Sequence, residues 1–172
     1  MDQKQTAMRN KQRERQQRGD DFQAEIRRSW REIPNVWRMR IADGAGATRP
    51  GDEIVLTPEV NILAEMKRTE SRRFSLDYMR PNQILGLRDF DQIIDRNLGL
   101  VFISFLNDSK GLDDAYAFRL ITALIHMKKR NVNHIKLEEF QNQTVPCVLL
   151  PRLTYHEPSY DLSGVLTCYK SL

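Results

Sequence analysis

The chain has 172 residues, 40% of them hydrophobic, and its 27 Lys and Arg residues against 23 Asp and Glu residues give a formal net charge of +4. This length supports one domain with a substantial core and is short for two. No stretch approaches the roughly 20 apolar residues that span a bilayer, and the N-terminus lacks the apolar segment of a signal peptide. We therefore expect a cytoplasmic protein with no membrane partner.

Cysteine and histidine have no spacing typical of a disulfide framework or a zinc site. The residues concerned are Cys147, Cys168, His126, His134 and His156. We expect them to be structural or surface residues, and we expect no small-molecule cofactor.

The positive charge is concentrated at the N-terminus. Residues 1–19 contain six basic and two acidic side chains, and six minus two equals the net charge of the whole chain. The segment is almost free of apolar residues, so it cannot bury enough surface to offset its ordering entropy. This composition predicts a disordered basic arm at 1–19, followed by a single domain over 20–172. Such arms commonly bind phosphate backbones, and a merely solubilising tail is the alternative.

A first helix is predicted from Asp20 or Asp21, either of which can cap it, to Pro34. Three apolar residues recur along it at intervals of four, with Glu25 beside that stripe: Phe22, Ile26 and Trp30. A strand follows at 36–41, where apolar and basic residues alternate.

The loop at 43–48 contains glycines but no phosphate-binding fingerprint. Two further strands are predicted at 53–56 and 60–68. A second helix is expected over 81–95, with three apolar residues facing inward: Ile84, Leu87 and Ile94.

The run at 100–105 is apolar on both faces and predicts a buried strand. A short strand at 115–118 and a helix at about 120–129 follow, and the C-terminal part is predicted to be mostly loops around one extended piece. This order of elements predicts an α/β fold in which a mixed β-sheet is flanked by helices.

The most informative residues are an acid and a lysine in the strand at 60–68. Alternate side chains share one face of a strand, so Glu65 and Lys67 project together while Ala64 and Met66 pack into a core. A hairpin could bring Asp52 beside Glu65, which would form a site for a divalent cation with a lysine next to it. A solvated strand face with a cross-strand ion pair is the alternative explanation of the same pattern.

The order of the predicted elements resembles that of the PD-(D/E)xK nucleases. It is a helix with an acid, a strand, a strand opening on Pro-x-Asp, a strand holding Glu-x-Lys and a further helix. More narrowly, the chain resembles the RecU family of Holliday junction resolvases. Four motifs in order are similar to that family: Arg18-Gly19 before a helix with Phe22 and Ile26, the Asp52 to Glu65 interval, Phe74-Ser75-Leu76 through Gln83-Ile84, and Pro151-Arg152-Leu153-Thr154-Tyr155. The resemblance covers roughly residues 18–155 and implies a restriction-endonuclease-like core.

Two features differ from the family pattern. In the family pattern the first helix carries an acid at the position that Gln23 occupies here. The role of that acid therefore passes to Glu25 or is lost. The loop from Asp43 to Gly51 is much shorter than the stalk of bacterial members, which suggests a compact, phage-encoded relative.

The resemblance implies a homodimeric, metal-dependent endonuclease that resolves four-way DNA junctions by symmetric phosphodiester hydrolysis. Mg²⁺ is the expected cofactor and Mn²⁺ suits the same oxygen ligands. The expected metal ligands are Asp52, Glu65, the Met66 backbone carbonyl and Glu25. The expected catalytic residues are Asp52, Glu65, Lys67, Glu25 and Gln83, although Gln83 could equally be a helix residue that bonds backbone. The expected DNA-binding residues are Arg13, Arg15, Arg18, Arg49, Arg72 and Arg73.

Two alternatives remain at this point. One is another DNA nuclease of the same fold, either sequence-specific or flap-cutting. The other is a non-catalytic DNA-binding or strand-annealing accessory protein, which would have no need of Asp52, Glu65 and Lys67 together.

Overall fold

A computed structural model describes residues 3–42, 49–154 and 157–172. Its longer elements are α1 (Gln3–Ser29), β1 (Trp37–Arg40), β2 (Glu53–Leu56), β3 (Asn61–Thr69), α2 (Pro81–Asp91), β5 (Asn97–Asn107), β6 (Leu112–Arg119) and α3 (Leu120–Arg130). The shorter ones are β4 (Arg73–Ser75), β7 (His134–Lys136), α4 (Leu137–Gln141), β8 (Val148–Leu149), β9 (Arg152–Leu153), β10 (Ser159–Tyr160) and α5 (Ser163–Thr167).

Six strands form the main sheet, in the order β1-β2-β3-β5-β6-β8. β3 and β5 are parallel and joined through α2, whereas the other neighbours in the sheet are antiparallel. β4 pairs with β7 and β9 with β10 in two small sheets. The predicted α/β class, a mixed sheet flanked by helices, is confirmed.

A hydrophobic core lies on each face of the main sheet. On one face, the predicted stripe of Phe22 and Ile26 in α1 and Trp30 in the 3-10 turn that follows packs against Ala64 and Met66. On the other face, α2 and α3 cover a second core that includes Leu63, Leu87 and Phe118. Because strand side chains alternate between faces, residues 63, 65 and 67 of β3 lie on the α2 side. The prediction that Ala64 and Met66 pack into a core is confirmed.

The first helix starts far earlier than predicted. Residues 3–19, expected to be disordered, are helical and continue into the packed part of α1. Gln, Arg, Lys and Met are good helix formers, and extending an existing helix avoids the cost of nucleation. The prediction of disorder rested on amino-acid composition, which does not account for this avoided cost of nucleation. The division of the chain into an arm and one domain stays a prediction.

Other boundaries differ from the sequence-based ones. α2 ends at Asp91, so Ile94 lies beyond the helix and is 47% exposed rather than facing inward. Asp91 accepts hydrogen bonds from the Gly99 N–H and the Arg119 guanidinium, which ties the helix end to β5 and β6. The C-terminal part contains the short helix α5, which was not predicted. The loop at 43–48, including the expected short stalk, and Tyr155 and His156 lie outside the described residues.

Gly86 allows α2 to approach the segment that carries Asp52. A Cβ at Gly86 would lie 2.8 Å from Pro50 Cα, closer than non-bonded carbon atoms approach, whereas a Cβ at Gly19 in α1 would meet no atom within 4 Å. We expect Gly86→Ala to lower the free energy of unfolding by about 1–3 kcal/mol. Gly19→Ala should raise it by up to about 1 kcal/mol, because alanine has the higher helix propensity.

Urea denaturation of both variants measures the difference. Equal changes for the two substitutions would contradict the close packing of α2 against Pro50.

Candidate active site

A polar cavity of about 340 Å³ lies between α1 and the start of α2, beside the loop that leads into β2. α1 contributes three polar residues to one wall: Gln16, Asp20 and Gln23. The strands, the loop and the start of α2 contribute the remainder: Arg40, Arg49, Asp52, Glu65, Met66, Lys67, Arg80 and Gln83. The cavity therefore contains four of the five residues that the sequence predicts to be catalytic.

Glu65 is buried in the sheet, with 1% of its surface exposed. Its Oε1 atom accepts a hydrogen bond from Gln83 Nε2 at 2.6 Å and pairs with Lys67 Nζ at 2.6 Å. Its Oε2 atom is buried and has no hydrogen-bond partner among the described residues. The sequence left a cross-strand ion pair on a solvated face as the alternative, but this pair lies within β3 and its Glu65 side chain is buried. Glu65 thus keeps one carboxylate oxygen unused.

Asp52 is the second buried carboxylate, and the β2–β3 hairpin places it in the same cavity, as predicted. Its N–H donates to the Ala64 carbonyl at 2.7 Å, and its Oδ2 atom accepts from the Met66 N–H at 2.7 Å. Its Oδ1 atom forms an ion pair with Arg49. Each of the two buried acids therefore has a basic partner.

Gln83 connects Glu65 to the first turn of α2. Its Nε2 atom donates to Glu65, and its Oε1 atom accepts from the backbone N–H of Arg80 at 2.9 Å. Lys67 Nζ lies 3.4 Å from the same Oε1 atom. Gln83 thus bonds backbone, as in the alternative considered for it, and also orients the Glu65 carboxylate, while its expected catalytic role stays a prediction.

Glu25 does not line the cavity. Its carboxylate is buried and forms ion pairs with Arg68 and, at 3.4 Å, with Arg152. The Arg68 guanidinium also lies over the Phe22 ring, 5.0 Å from its centroid, and contacts the Tyr160 hydroxyl at 3.3 Å. Burial and the nearby Glu25 carboxylate raise the pKa of Tyr160. Glu25 therefore joins α1 to the sheet and to β9–β10.

The sequence considered Glu25 as the acid that α1 contributes to the site. Gln23 and Asp20 of α1 line the cavity instead. Gln23 lies there, at the position of the family acid, and its Oε1 atom accepts from Arg27 Nη2 at 2.8 Å. Asp20 lies one helical turn earlier on the same face, and sequence reasoning considered it only as a cap. Its spacing of three residues from Gln23 was the signal that could have identified it.

The expected DNA-binding arginines fall into two groups. Arg18, Arg49 and Arg72 form ion pairs with Glu70, Asp52 and Glu138. Arg13, Arg15 and Arg73 are exposed and form no ion pair with a residue that the structure describes. Arg13 follows the three- and four-residue spacing of Gln16, Asp20 and Gln23, so it extends the face of α1 that lines the cavity.

The donor atoms of the cavity fit a hard divalent cation held by few protein ligands. Within residues 3–42, 49–154 and 157–172, no three His, Cys, Asp or Glu side chains are placed to hold a metal ion together. Mg²⁺ commonly needs only one or two carboxylates, because it keeps several of its waters. Asp52 and Glu65 supply two carboxylates, and the buried Oε2 atom of Glu65 has no hydrogen-bond partner among the described residues.

Comparisons with known proteins show a similarity in structure. No protein-family model matches the chain, and no curated protein matches it. Among solved structures it is similar to Hjc of the hyperthermophilic archaeon Archaeoglobus fulgidus, a Holliday junction resolvase, with a TM-score of 0.45 and 12% identity. The similarity covers 60% of this chain and 78% of that protein. Membership of the RecU family stays a prediction.

The described part of the chain has no helix long and apolar enough to cross a membrane. The longest helix, α1, is rich in charged residues along its length. This finding agrees with the absence of a long apolar run in the sequence.

The position of Glu25 leads to a prediction about stability. Glu25→Gln leaves the Arg68 side chain, which is 4% exposed, without its charged partner. Removing one member of a buried ion pair typically costs about 3 kcal/mol or more, so we expect a loss of that size in the free energy of unfolding. Urea denaturation monitored by circular dichroism measures it.

Glu138→Gln is the matched control, because it removes an exposed ion pair with Arg72. It should leave stability almost unchanged, since exposed pairs contribute little. Similar effects of the two substitutions would mean that Glu25 has no special role in anchoring α1.

Proposed function

We propose that the chain is a divalent-cation-dependent DNA endonuclease that acts on four-way junctions. The observation that supports this best is the convergence of Asp52, Glu65 and Lys67 in one polar cavity, with an unused oxygen on a buried carboxylate. Burial of charged groups is costly even when they are paired. Clusters of this kind are therefore candidates for functional sites.

Asp52 and Glu65 would hold Mg²⁺ or Mn²⁺, with the Met66 backbone carbonyl as a third protein ligand. Glu25 is left out of this ligand set because its carboxylate is engaged by Arg68 and Arg152. A bound cation would supply an activated water and neutralise charge on the phosphate.

The basic residues of the cavity have a second role in this proposal. Arg49 and Lys67 now neutralise Asp52 and Glu65. When phosphate enters, the Lys67 ammonium can donate to a phosphate oxygen and stabilise the negative charge that develops during hydrolysis. Gln83 keeps Glu65 in place throughout, because its amide is itself fixed by the Arg80 N–H.

The catalytic assignment predicts the effect of removing either carboxylate. Asp52→Asn and Glu65→Gln should each reduce the cleavage rate roughly a thousandfold, which corresponds to about 4 kcal/mol of transition-state stabilisation. DNA binding should be retained, because neither substitution removes a basic residue. Asp89→Asn changes an exposed acid of α2 and should cleave at the normal rate.

A nicking assay with Mg²⁺ and with EDTA measures these rates. Cleavage by both cavity variants within tenfold of the unmodified protein, or full activity in EDTA, would contradict the proposed site.

The proposed substrate gives a separate prediction. Cleavage of a four-way junction should exceed cleavage of linear duplex of the same sequence, with paired cuts in opposite strands. The proposed homodimer accounts for paired cuts because a two-fold axis presents two equivalent sites. Labelling each strand in turn maps the cuts, and sedimentation measures the dimer.

The alternative functions give other results in the same assay. Equal cleavage of the linear duplex would favour a sequence-specific or flap-cutting nuclease. Junction binding with no cleavage under any divalent cation would favour an accessory DNA-binding protein.

A further inference from the structure

Two arginines that the proposed function does not use line the cavity from two different elements. Arg40 belongs to β1 and lines the cavity together with the α1 residues Gln23 and Asp20. Arg80 directly precedes α2 and lines it beside Gln83. Both arginine residues are exposed. The buried carboxylates lie in the same cavity as these two cations.

The charges of Arg40 and Arg80 are available to a ligand. Arg49 and Lys67 pair with the buried acids, whereas neither Arg40 nor Arg80 forms an ion pair with a described residue. Arg40 lies directly opposite Glu53 in the β1–β2 register. The Glu53 carboxylate pairs with Arg38 at 2.9 Å, however, and Arg40 lines the cavity.

Positive charge is crowded on the β1 side of the cavity. Burial, followed by the charge of Arg40, lowers the pKa of Arg27, whose guanidinium reaches Gln23. The acidic residue Asp20 also lines the cavity. Arginine donates to phosphate oxygens through two or more N–H groups at once, which makes unpaired arginines at a cavity suitable for phosphodiesters.

We propose that Arg40 and Arg80 bind two phosphates of one DNA strand, one on each side of the phosphodiester that is cleaved. The strand then crosses the cavity from β1 to the start of α2, and the cleaved bond lies over Asp52 and Glu65. This inference rests on the proposed function and adds the path of the substrate strand across the cavity.

The first test measures binding without cleavage, so it does not depend on catalysis. Affinity for a four-way junction is measured in EDTA over a range of salt concentrations for Arg40→Gln, Arg80→Gln and the control Arg96→Gln. Arg96 is exposed and does not line the cavity. Each cavity variant should reduce the slope of log affinity against log salt by about 0.9 and raise Kd roughly tenfold at low salt.

Arg96→Gln should change neither the slope nor Kd. Equal changes in all three variants would reflect general loss of charge, and unchanged binding by both cavity variants would show that they do not contact DNA. Either result overturns the inference, while the cleavage assay of Asp52→Asn and Glu65→Gln still decides the proposed function.

The second test assigns each arginine to one phosphate. Single phosphates around the cut are replaced by neutral methylphosphonates, and binding is measured with the unmodified protein and each variant. Neutralising the phosphate that an arginine contacts should weaken DNA binding by the unmodified protein. In the variant that lacks this arginine, the same neutralised phosphate should reduce affinity little further. Arg40 and Arg80 should couple to phosphates on opposite sides of the cut. Fully additive losses everywhere, or coupling of both arginines to the same phosphate, would overturn the proposed path.

Discussion

Burial of the Asp52 and Glu65 carboxylates is the constraint on which the arrangement of the cavity depends. A charged group taken out of water costs several kcal/mol unless partners compensate for it. Here each acid has a basic partner, Arg49 or Lys67, and a hydrogen-bond donor from a neighbouring element. The loop before β2, the β2–β3 hairpin and the first turn of α2 are therefore all connected to these two side chains.

Compensation is incomplete at one atom of these two carboxylates, and the proposed function uses that atom. Glu65 Oε2 is buried without a hydrogen-bond partner among the described residues, which is unfavourable in a folded protein. Gln83 holds the other oxygen of the same carboxylate, so the unused oxygen has a defined position. A cation that bound there would relieve this penalty, and this would couple metal affinity to the stability of the site.

A further buried ion pair fixes the α1 side of the cavity. Glu25 binds Arg68 and Arg152, and the nearby Ser29 hydroxyl accepts from the Tyr160 N–H at 2.7 Å. These contacts hold the C-terminal half of α1 against the sheet. Asp20 and Gln23 lie within two turns of this anchor, so their position over the cavity follows from it.

The sequence predicted local features well and distant contacts poorly. The two-residue period of a strand placed Glu65 and Lys67 on one face, and a short hairpin brought Asp52 to them, because both depend on nearby residues. The partners of Glu25 are 43 and 127 residues away along the chain, so no local pattern could reveal them. The same limit explains why the sequence did not show that Glu25 pairs with Arg68 and Arg152 and does not line the cavity. The helix over 3–19 was missed for a different reason, because composition does not account for the ease of extending an existing helix.

The most direct test of the central claim is the position of a metal ion. A crystal grown with Mn²⁺ and a four-way junction carrying an uncleavable phosphate analogue would reveal the ion by its anomalous scattering. We expect a peak bound by Glu65 Oε2 and an oxygen of Asp52, next to the phosphate. A DNA-bound cavity with no peak at these carboxylates, or a metal bound elsewhere beside the phosphate, would contradict it.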